Sequence, residues 1–296
     1  MSLQPPPGHP APSAAHPADL SIDRATPGDW AVITGWAADE GWNPGLTDAT
    51  AFFAQDPDGF LIGRIDGSPV SAISLVHYGD DYAFLGHYLV RPDLRGRGLG
   101  IATWKAAIAR AKDRTIGLDG VVAQQHNYRR SGFSPAHRTH RYTGPAPRYV
   151  PTPEGVVPAA TVDRDTLLAY DGACWPADRP RFLDQWLTAP GHRALARLDG
   201  TTLTGFGVIR PARDSYRVGP LFADTPDDAR ALLDGLTAGT GRSGIALDVP
   251  DSHPEATALA TGLGLTPTFE TARMYTGPVR PVAEDRVYAV TTLELG

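Results

Sequence analysis

The chain has 296 residues, 42% of them hydrophobic; this is about twice the commonest domain length with apolar content for ordinary cores, so two domains are expected. Its net charge of -6 argues against a nucleic-acid surface, which needs a concentrated basic stripe. One cysteine, Cys174, leaves no internal disulfide and suits a reducing cytosol; with no apolar run near the roughly 20 residues that cross a bilayer and no signal-peptide pattern, the expected setting is cytoplasmic, away from membrane.

Residues 1–18 carry Pro5, Pro6, Pro7, Pro10, Pro12 and Pro17 among Ala, Gly and His and read as a disordered tail. From residue 19 the pattern becomes regular. Ser21 to Arg24 alternates as a short strand, and Asp29 can cap a helix through Val32, Ile33 and Trp36. Gly41-Trp42-Asn43-Pro44-Gly45 breaks that helix, after which Thr47 or Asp48 can cap a second one holding Phe52 and Phe53. Two β runs, Phe60 to Ile65 and Val70 to Tyr78, join through Asp66-Gly67-Ser68-Pro69 as a hairpin. A third run, Tyr82 to Val90, leads into a helix with Ile101, Trp104, Ile108 and Ala111 on one face. A strand around Ile116 to Leu118, a helix ending near Ser131 and a strand around Arg138 to Tyr142 complete this half. His137 and His140 have no Cys or Glu cluster beside them, so no metal is expected.

Pro145, Pro147, Pro151, Pro153 and Pro158 mark 145–157 as a stiff, extended connector, because proline disfavours helix and cannot donate to a ladder. Beyond it the same plan returns. Gly200 to Ile209 reads like the earlier hairpin, Tyr216 to Phe222 like the central strand, and Thr225-Pro226-Asp227-Asp228 starts a helix carrying Leu232, Leu233 and Leu236. Ile245-Ala246-Leu247-Asp248 echoes Ile116-Gly117-Leu118-Asp119, Gly264-Leu265 echoes Gly132-Phe133, and Met274-Tyr275-Thr276-Gly277 echoes Arg141-Tyr142-Thr143-Gly144. Landmarks repeated in one order indicate a tandem duplication of one α/β fold.

Between the central strand and its helix lies Arg95-Gly96-Arg97-Gly98-Leu99-Gly100. Glycine lets backbone approach an anion, the first N–H groups of a helix lack intrahelical partners, and the helix dipole favours negative charge there. Arg95 and Arg97 would add charge-assisted hydrogen bonds. The glycines fall at alternate positions, which does not fit the dinucleotide fingerprint G-x-G-x-x-G, and no Lys-Ser or Lys-Thr follows Gly100 to close a P-loop. What fits is R-x-x-G-x-G, with Tyr128-Arg129-Arg130-Ser131-Gly132-Phe133 supplying Y-x-x-x-G-F downstream.

Together these two motifs resemble the GNAT (Gcn5-related) N-acetyltransferases, in which the first cradles the acyl-CoA pyrophosphate and the tyrosine commonly serves as general acid. The resemblance covers residues 20–144. In weaker form it extends, through Gly41-Trp42-Asn43-Pro44-Gly45, Gly117-Leu118-Asp119-Gly120, Gly219-Pro220-Leu221-Phe222, Arg273-Met274-Tyr275 and Leu293-Glu294-Leu295-Gly296, to two-domain bacterial proteins of the YitH/HolE type. It implies an α/β fold of tandem GNAT-like domains, each a mixed, mostly antiparallel central sheet flanked by helices. Residues 19–144 would be the catalytic, acetyl-CoA-binding domain and 158–296 a degenerate GNAT-like one. The second copy has no glycine loop: after Leu221-Phe222-Ala223, Asp224 to Asp228 puts three carboxylates where pyrophosphate would sit. The asparagine common in the family one helical face before the tyrosine is also absent, with Val121 near its place and Gln124 where a small residue is usual.

The expected function is acetyl-CoA-dependent N-acetyl transfer to a primary amine of a small molecule, by direct transfer and without metal. Arg95, Gly96, Arg97, Gly98, Leu99 and Gly100 would hold the pyrophosphate, and backbone donors at Leu89 and Val90 would face the oxyanion if the strand splays there. Tyr128, a phenol protonated at neutral pH, would protonate the thiolate. The base stays open: no carboxylate follows Asp81 on the strand, and His87 can act directly or be a core histidine. Strict alternation puts Leu85, His87 and Leu89 on one face and Gly86 and Tyr88 on the other. Trp36, Asp39, Glu40, Trp42 and Tyr88 are candidate acceptor contacts, with an acidic bias that favours a cationic amine. A non-catalytic acyl-CoA sensor and a protein or peptide N-acetyltransferase are the alternative readings, and monomer and homodimer are both compatible with the sequence.

Overall fold

A computed structural model describes residues 17–147, 151–240 and 243–296. Most of the proline-rich tail and residues 148–150 of the connector lie outside the described residues. The first half runs β1 (Ser21–Arg24), α1 (Pro27–Asp39), α2 (Asp48–Gln55), β2 (Phe60–Ile65), β3 (Ser68–Tyr78), β4 (Tyr82–Val90), α3 (Leu99–Ala111), β5 (Thr115–Val121), α4 (Gln125–Arg130) and β6 (Ser134–Pro145). The second runs β7 (Val156–Pro158), α5 (Arg164–Cys174), α6 (Pro180–Thr188), β8 (Arg193–Asp199), β9 (Thr202–Pro211), β10 (Tyr216–Ala223), α7 (Pro226–Thr237), β11 (Gly244–Pro250), α8 (Pro254–Gly262), β12 (Thr266–Tyr275) and β13 (Val287–Ala289). Pro145 completes β6 and Val156 begins β7, which narrows the connector to residues 146–155.

Local chemistry sets the helix starts. Thr26, rather than Asp29, is the N-cap of α1: its hydroxyl accepts from the Asp29 N–H (3.1 Å), and the Asp29 carboxylate accepts from the Thr26 N–H (2.9 Å). Thr47 holds the N-cap position of α2 without a side-chain bond, while Asp48 accepts from the Gly45 N–H (3.1 Å) and pairs inward with Arg210 (2.7 Å). The buried line of α3 is Leu99, Thr103, Trp104, Ala107 and Ala111, and Ile101 is 53% exposed, against expectation. Small residues decide this rotation. The Thr103 hydroxyl meets Ser71 Oγ of β3 at 2.7 Å, a close approach that a large apolar side chain would prevent.

The strands form one sheet of order β1-β2-β3-β4-β5-β12-β6-β11-β10-β9-β8-β7, with β13 beside β10. Neighbours are antiparallel except the parallel pairs β4–β5 and β10–β11. The order exposes an exchange: β12 of the second half pairs with β5 of the first, and β6 of the first pairs with β11 of the second. Each junction is pinned by a buried, two-pronged ion pair. Arg273 on β12 grips Asp119 on β5 at 3.1 and 2.7 Å, and Arg141 on β6 grips Asp248 on β11 at 2.7 and 3.2 Å. These ladders make Arg273 the counterpart of Arg141, one residue earlier than the sequence echo set it.

The layer of α1, α2 and α6 packs across both halves. Phe52 stacks on Phe182 (6.1 Å) and Trp186 (6.0 Å), and all three are buried. Beyond β13 the chain returns as a buried strap, Val290 to Gly296, over the first half. The Tyr78 hydroxyl donates to the Leu295 carbonyl (3.1 Å), and the Arg179 guanidinium donates to the Gly296 carbonyl (3.4 Å). The strap touches β4 where only glycine fits, since a Cβ on Gly86 would lie 1.8 Å from the Glu294 carbonyl oxygen. Gly86→Ala is therefore expected to destabilise the fold by about 1–3 kcal/mol in urea unfolding. Gly35→Ala, on an open helix surface with nothing within 4 Å, is expected to stabilise it by up to about 1 kcal/mol. Equal midpoints for the two variants would contradict this packing.

Candidate active site

Strands β4 and β5 pair from Tyr82–Thr115 to Leu85–Leu118 and then part. The parting follows from a bulge in β4: Ser74 faces Gly86, Ala72 faces Leu89, and His87 takes φ +47°. The extra residue corrects the alternation expected from sequence. Tyr88 joins Leu85 on the α3 face, against Trp104, while His87 and Leu89 face the α1–α2 layer. Between the diverging strands opens a cleft of about 470 Å³.

The glycine loop closes one end of this cleft. Gly96 (φ +79°) and Gly98 (φ +82°) adopt left-handed backbone, and Gly98 is the N-cap of α3. The N–H groups of Gly98, Leu99, Gly100 and Ile101 bond no acceptor among the described residues; Ala102 is the first in α3 to do so, on the Gly98 carbonyl (3.3 Å). A Cβ on Gly100 would come 2.6 Å from the Tyr88 hydroxyl. Those free donors at the positive end of the α3 dipole suit a phosphate group. Arg95 stands at the mouth, donating to the Val90 carbonyl (3.1 Å) and paired with Glu40. Arg97 does not line the cleft and turns to the Asp93 carbonyl (3.4 Å).

Tyr128 borders the same cleft from α4. Just past the end of α4, Gly132 takes φ +90°, and the Phe133 N–H returns to the Tyr128 carbonyl (3.1 Å), so Phe133 swings back to join Trp104 and Tyr128. This accounts physically for the spacing of Y-x-x-x-G-F. Tyr128 stacks on Trp104 (5.7 Å), and a Cβ on Gly120 would fall 2.5 Å from its ring. Burial pushes its phenol up to about 12.

Of the remaining candidates, Glu40, Trp42, Tyr88, His87, Leu89 and Val90 line the cleft, whereas Trp36 and Asp39 do not. Trp36 packs into the core, and Asp39 pairs with Arg213 of the second half (2.6 Å). His87 is 3% exposed, set edge-on to Trp30 (5.1 Å) and 3.4 Å from Ser74 Oγ; burial lowers its pKa to about 4. Cys174 lies outside this cleft, its thiol pushed by burial to about 12.

The far wall is one that sequence reasoning missed. Arg141, Phe269, Leu293 and Glu294 reach the cleft from β6, β12 and the strap. The Glu294 side chain is buried, its Oε2 has no hydrogen-bond partner among the described residues, and burial raises its pKa against the pull of Arg217 and Arg141. A glutamate in the strap carried no local signal, because its place depends on the returning chain. Among the described residues no His, Cys, Asp and Glu group could hold a metal ion, and no helix is long and apolar enough to cross a membrane.

The second half repeats the cleft and fills it. Strands β10 and β11 part after Val218–Leu247, β10 is irregular at Gly219-Pro220, and β13 lies in the gap. It pairs with Leu221 and Phe222 on one side, and the Val290 N–H donates to the Asp248 carbonyl (2.9 Å) on the other. The acidic run before α7 is held internally: Asp228 pairs with Arg197 (3.0 Å), and Asp224 accepts from the Tyr170 hydroxyl (2.7 Å).

Comparison with known proteins agrees with this duplicated geometry. Residues 28–133 match the acetyltransferase (GNAT) family and residues 167–289 an acetyltransferase (GNAT) domain. The holothin acyltransferase of Pseudoalteromonas sp. (strain SANK 73390) is 31% identical over 276 residues, covering 90% of this chain and 92% of that protein. A putative acetyltransferase from Pyrococcus horikoshii has the same fold, with TM-score 0.80, 23% identity, and coverage of 94% of this chain and 96% of the other. A tandem GNAT protein from the clavulanic acid biosynthesis pathway aligns with TM-score 0.61 and 18% identity over 88% of this chain and 99% of its own. The chain therefore belongs to the GNAT acyltransferase family, with two GNAT domains in tandem.

Proposed function

We propose that this chain is an acetyl-CoA-dependent N-acetyltransferase acting on a primary amine of a small molecule by direct transfer. The observation that carries the proposal is a single open cleft that joins a parted β4–β5 pair, the free N–H groups of Gly98 to Ile101, and Tyr128. The N–H groups and Arg95 would receive the pyrophosphate. Backbone donors beside the bulge would stabilise the oxyanion, which demands donors fixed before the reaction. Tyr128, held protonated by burial, would give its proton to the departing sulfur.

In this reading residues 19–144 form the catalytic unit, and residues 158–296 form the degenerate one, which walls the acceptor side. A cleft walled by Trp42 from one half and Phe269 and Leu293 from the other favours a compact acceptor over a peptide chain. The second half offers no second donor site, because its own β13 occupies the equivalent gap. Calorimetry with acetyl-CoA is expected to give one site per chain; no binding, or two equivalent sites, would overturn the reading. A panel of small amines, followed by free-thiol release, identifies the acceptor.

Tyr128→Phe is expected to lower the transfer rate by about 10²-fold or more while leaving acetyl-CoA affinity nearly unchanged. The acid works in its protonated form, and its pKa of about 12 lies above the working range. Wild-type rate should therefore show no alkaline decline from this group up to about pH 10. Unchanged turnover in the phenylalanine variant would remove Tyr128 from this role.

A further inference from the structure

Amide formation also requires removal of a proton from the acceptor nitrogen, whose pKa as a free alkyl ammonium is about 10.4. Three carboxylates border the cleft: Glu40, Asp119 and Glu294. Glu40 is held at the mouth by Arg95. Asp119 is gripped by two nitrogens of Arg273 at 3.1 and 2.7 Å. Glu294 differs from both: it is 4% exposed, and its Oε2 lacks a hydrogen-bond donor among the described residues. A buried carboxylate oxygen without a donor is costly unless a ligand supplies one.

The backbone that carries this side chain is fixed on both flanks. Leu295 is tied through its carbonyl to the Tyr78 hydroxyl (3.1 Å) and through its N–H to Thr292 Oγ (2.9 Å), and the Glu294 carbonyl rests in the space left by Gly86. Such positioning by packing and hydrogen bonds is what a reacting group needs. We infer that Glu294 is the catalytic base, the carboxylate that accepts the proton leaving the acceptor amine. The inference rests on the N-acetyltransferase reading and assigns a residue of the second half to the chemistry of the first.

The step balances with the groups named. As the amine nitrogen attacks the thioester carbonyl, the C–N bond forms and the C–S bond breaks. One N–H proton passes to the Glu294 carboxylate, and the Tyr128 O–H gives one to sulfur. Exchange with solvent returns Glu294 to carboxylate and Tyr128 to phenol, so the net change is amine and thioester to amide and thiol. The charged surroundings set the basicity of Glu294. Arg141 on β6 and Arg217 on β10 favour its ionised form, while Asp248 on β11 and Asp48 on α2 oppose it. His87 on β4, kept neutral by burial, adds no charge. Desolvation outweighs the arginines, and Glu294 stays above the ordinary carboxylate range.

The full-length chain with acetyl-CoA and the best amine of the panel tests this. Glu294→Gln is expected to lower kcat by roughly 10²–10⁴-fold with acetyl-CoA affinity by calorimetry within about twofold of wild type. Below the rise set by the acceptor amine itself, at about 10.4, wild-type kcat/KM should show a second limb above the ordinary carboxylate range, because the base works ionised, and E294Q should lack that second limb. Glu294→Asp, which keeps the charge but withdraws it by one methylene, should retain the second limb at reduced kcat. Wild-type kcat in E294Q, or a surviving second limb, overturns the assignment. Should E294Q fail to bind acetyl-CoA, wild-type kcat in E294D overturns it and a reduced kcat with the second limb retained supports it. A wild-type chain inactive with every amine refutes the transferase reading itself, whereas active wild type with equally active E294Q refutes Glu294 alone.

Discussion

Because β12 pairs with β5 and β6 pairs with β11, neither half completes its sheet without the other. The registers of both junctions are fixed by charge. Asp119 lies opposite Arg273 and Asp248 opposite Arg141, and all four side chains are at most 5% exposed. A slip of one residue would move each arginine to the opposite face, and at the β5–β12 junction it would leave Asp119 buried without a cation, which costs several kcal/mol. A well-packed apolar pair could give similar stability, but it would tolerate the slip. Arg217 adds a second cation to Asp248 and donates to the Trp42 (3.1 Å) and Asn43 (3.0 Å) carbonyls. The junction thereby also positions the loop that borders the cleft.

The exchange also explains how the two halves of a duplicated fold come to differ. Two central strands bulge at matching points, at Gly86–Tyr88 and Gly219-Pro220, and each parts from its parallel neighbour. A gap between parted strands presents unpaired backbone groups, and these need a partner. In the second half the chain supplies its own, as β13 runs in beside Leu221 and Phe222. In the first half the gap stays open as the cleft, and the chain that plugged the other gap passes on to form its wall through Leu293 and Glu294. The acidic start of α7 and the plugged cleft are thus two parts of one change. In the second half the carboxylates before α7 are paired and the gap is filled, whereas the first half keeps free donors beside an open gap.

Local features were legible in the sequence where short-range physics decides them. The glycine loop, the hairpin from Phe60 to Tyr78 and the tyrosine ahead of Gly132-Phe133 each follow from backbone constraints within a few residues. Asp29 misled for a local reason too, since a capping box uses two residues and either reads as the cap. Strand order was not legible, because the partner of β5 lies some 150 residues away and no pattern within β12 names it. The bulge at His87 inverted the expected face of Leu85, and Thr103 escaped notice on α3 because contact there is set by smallness, not hydrophobicity. Glu294 was quoted only as part of a resemblance. Its meaning comes from Gly86, more than 200 residues earlier, which leaves room for its carbonyl.

A single physical agent, loss of water, sorts the titratable groups of the cleft. Desolvation penalises the charged form, so it acts with opposite sign on acids and on imidazole. It lifts the Tyr128 phenol to about 12, which keeps that hydroxyl protonated. It lifts Glu294, which makes the carboxylate a stronger base while the arginines nearby keep it from going further. The same burial drives His87 down to about 4, away from the range where an imidazole exchanges protons near neutrality, and leaves it a neutral ring against Trp30. An imidazole on the central strand is the first residue that sequence suggests as a base, and burial there favours its neutral form. A carboxylate brought in by the strap gains basicity from that same environment, so the dry interior that lowers His87 raises Glu294, the base inferred from the geometry.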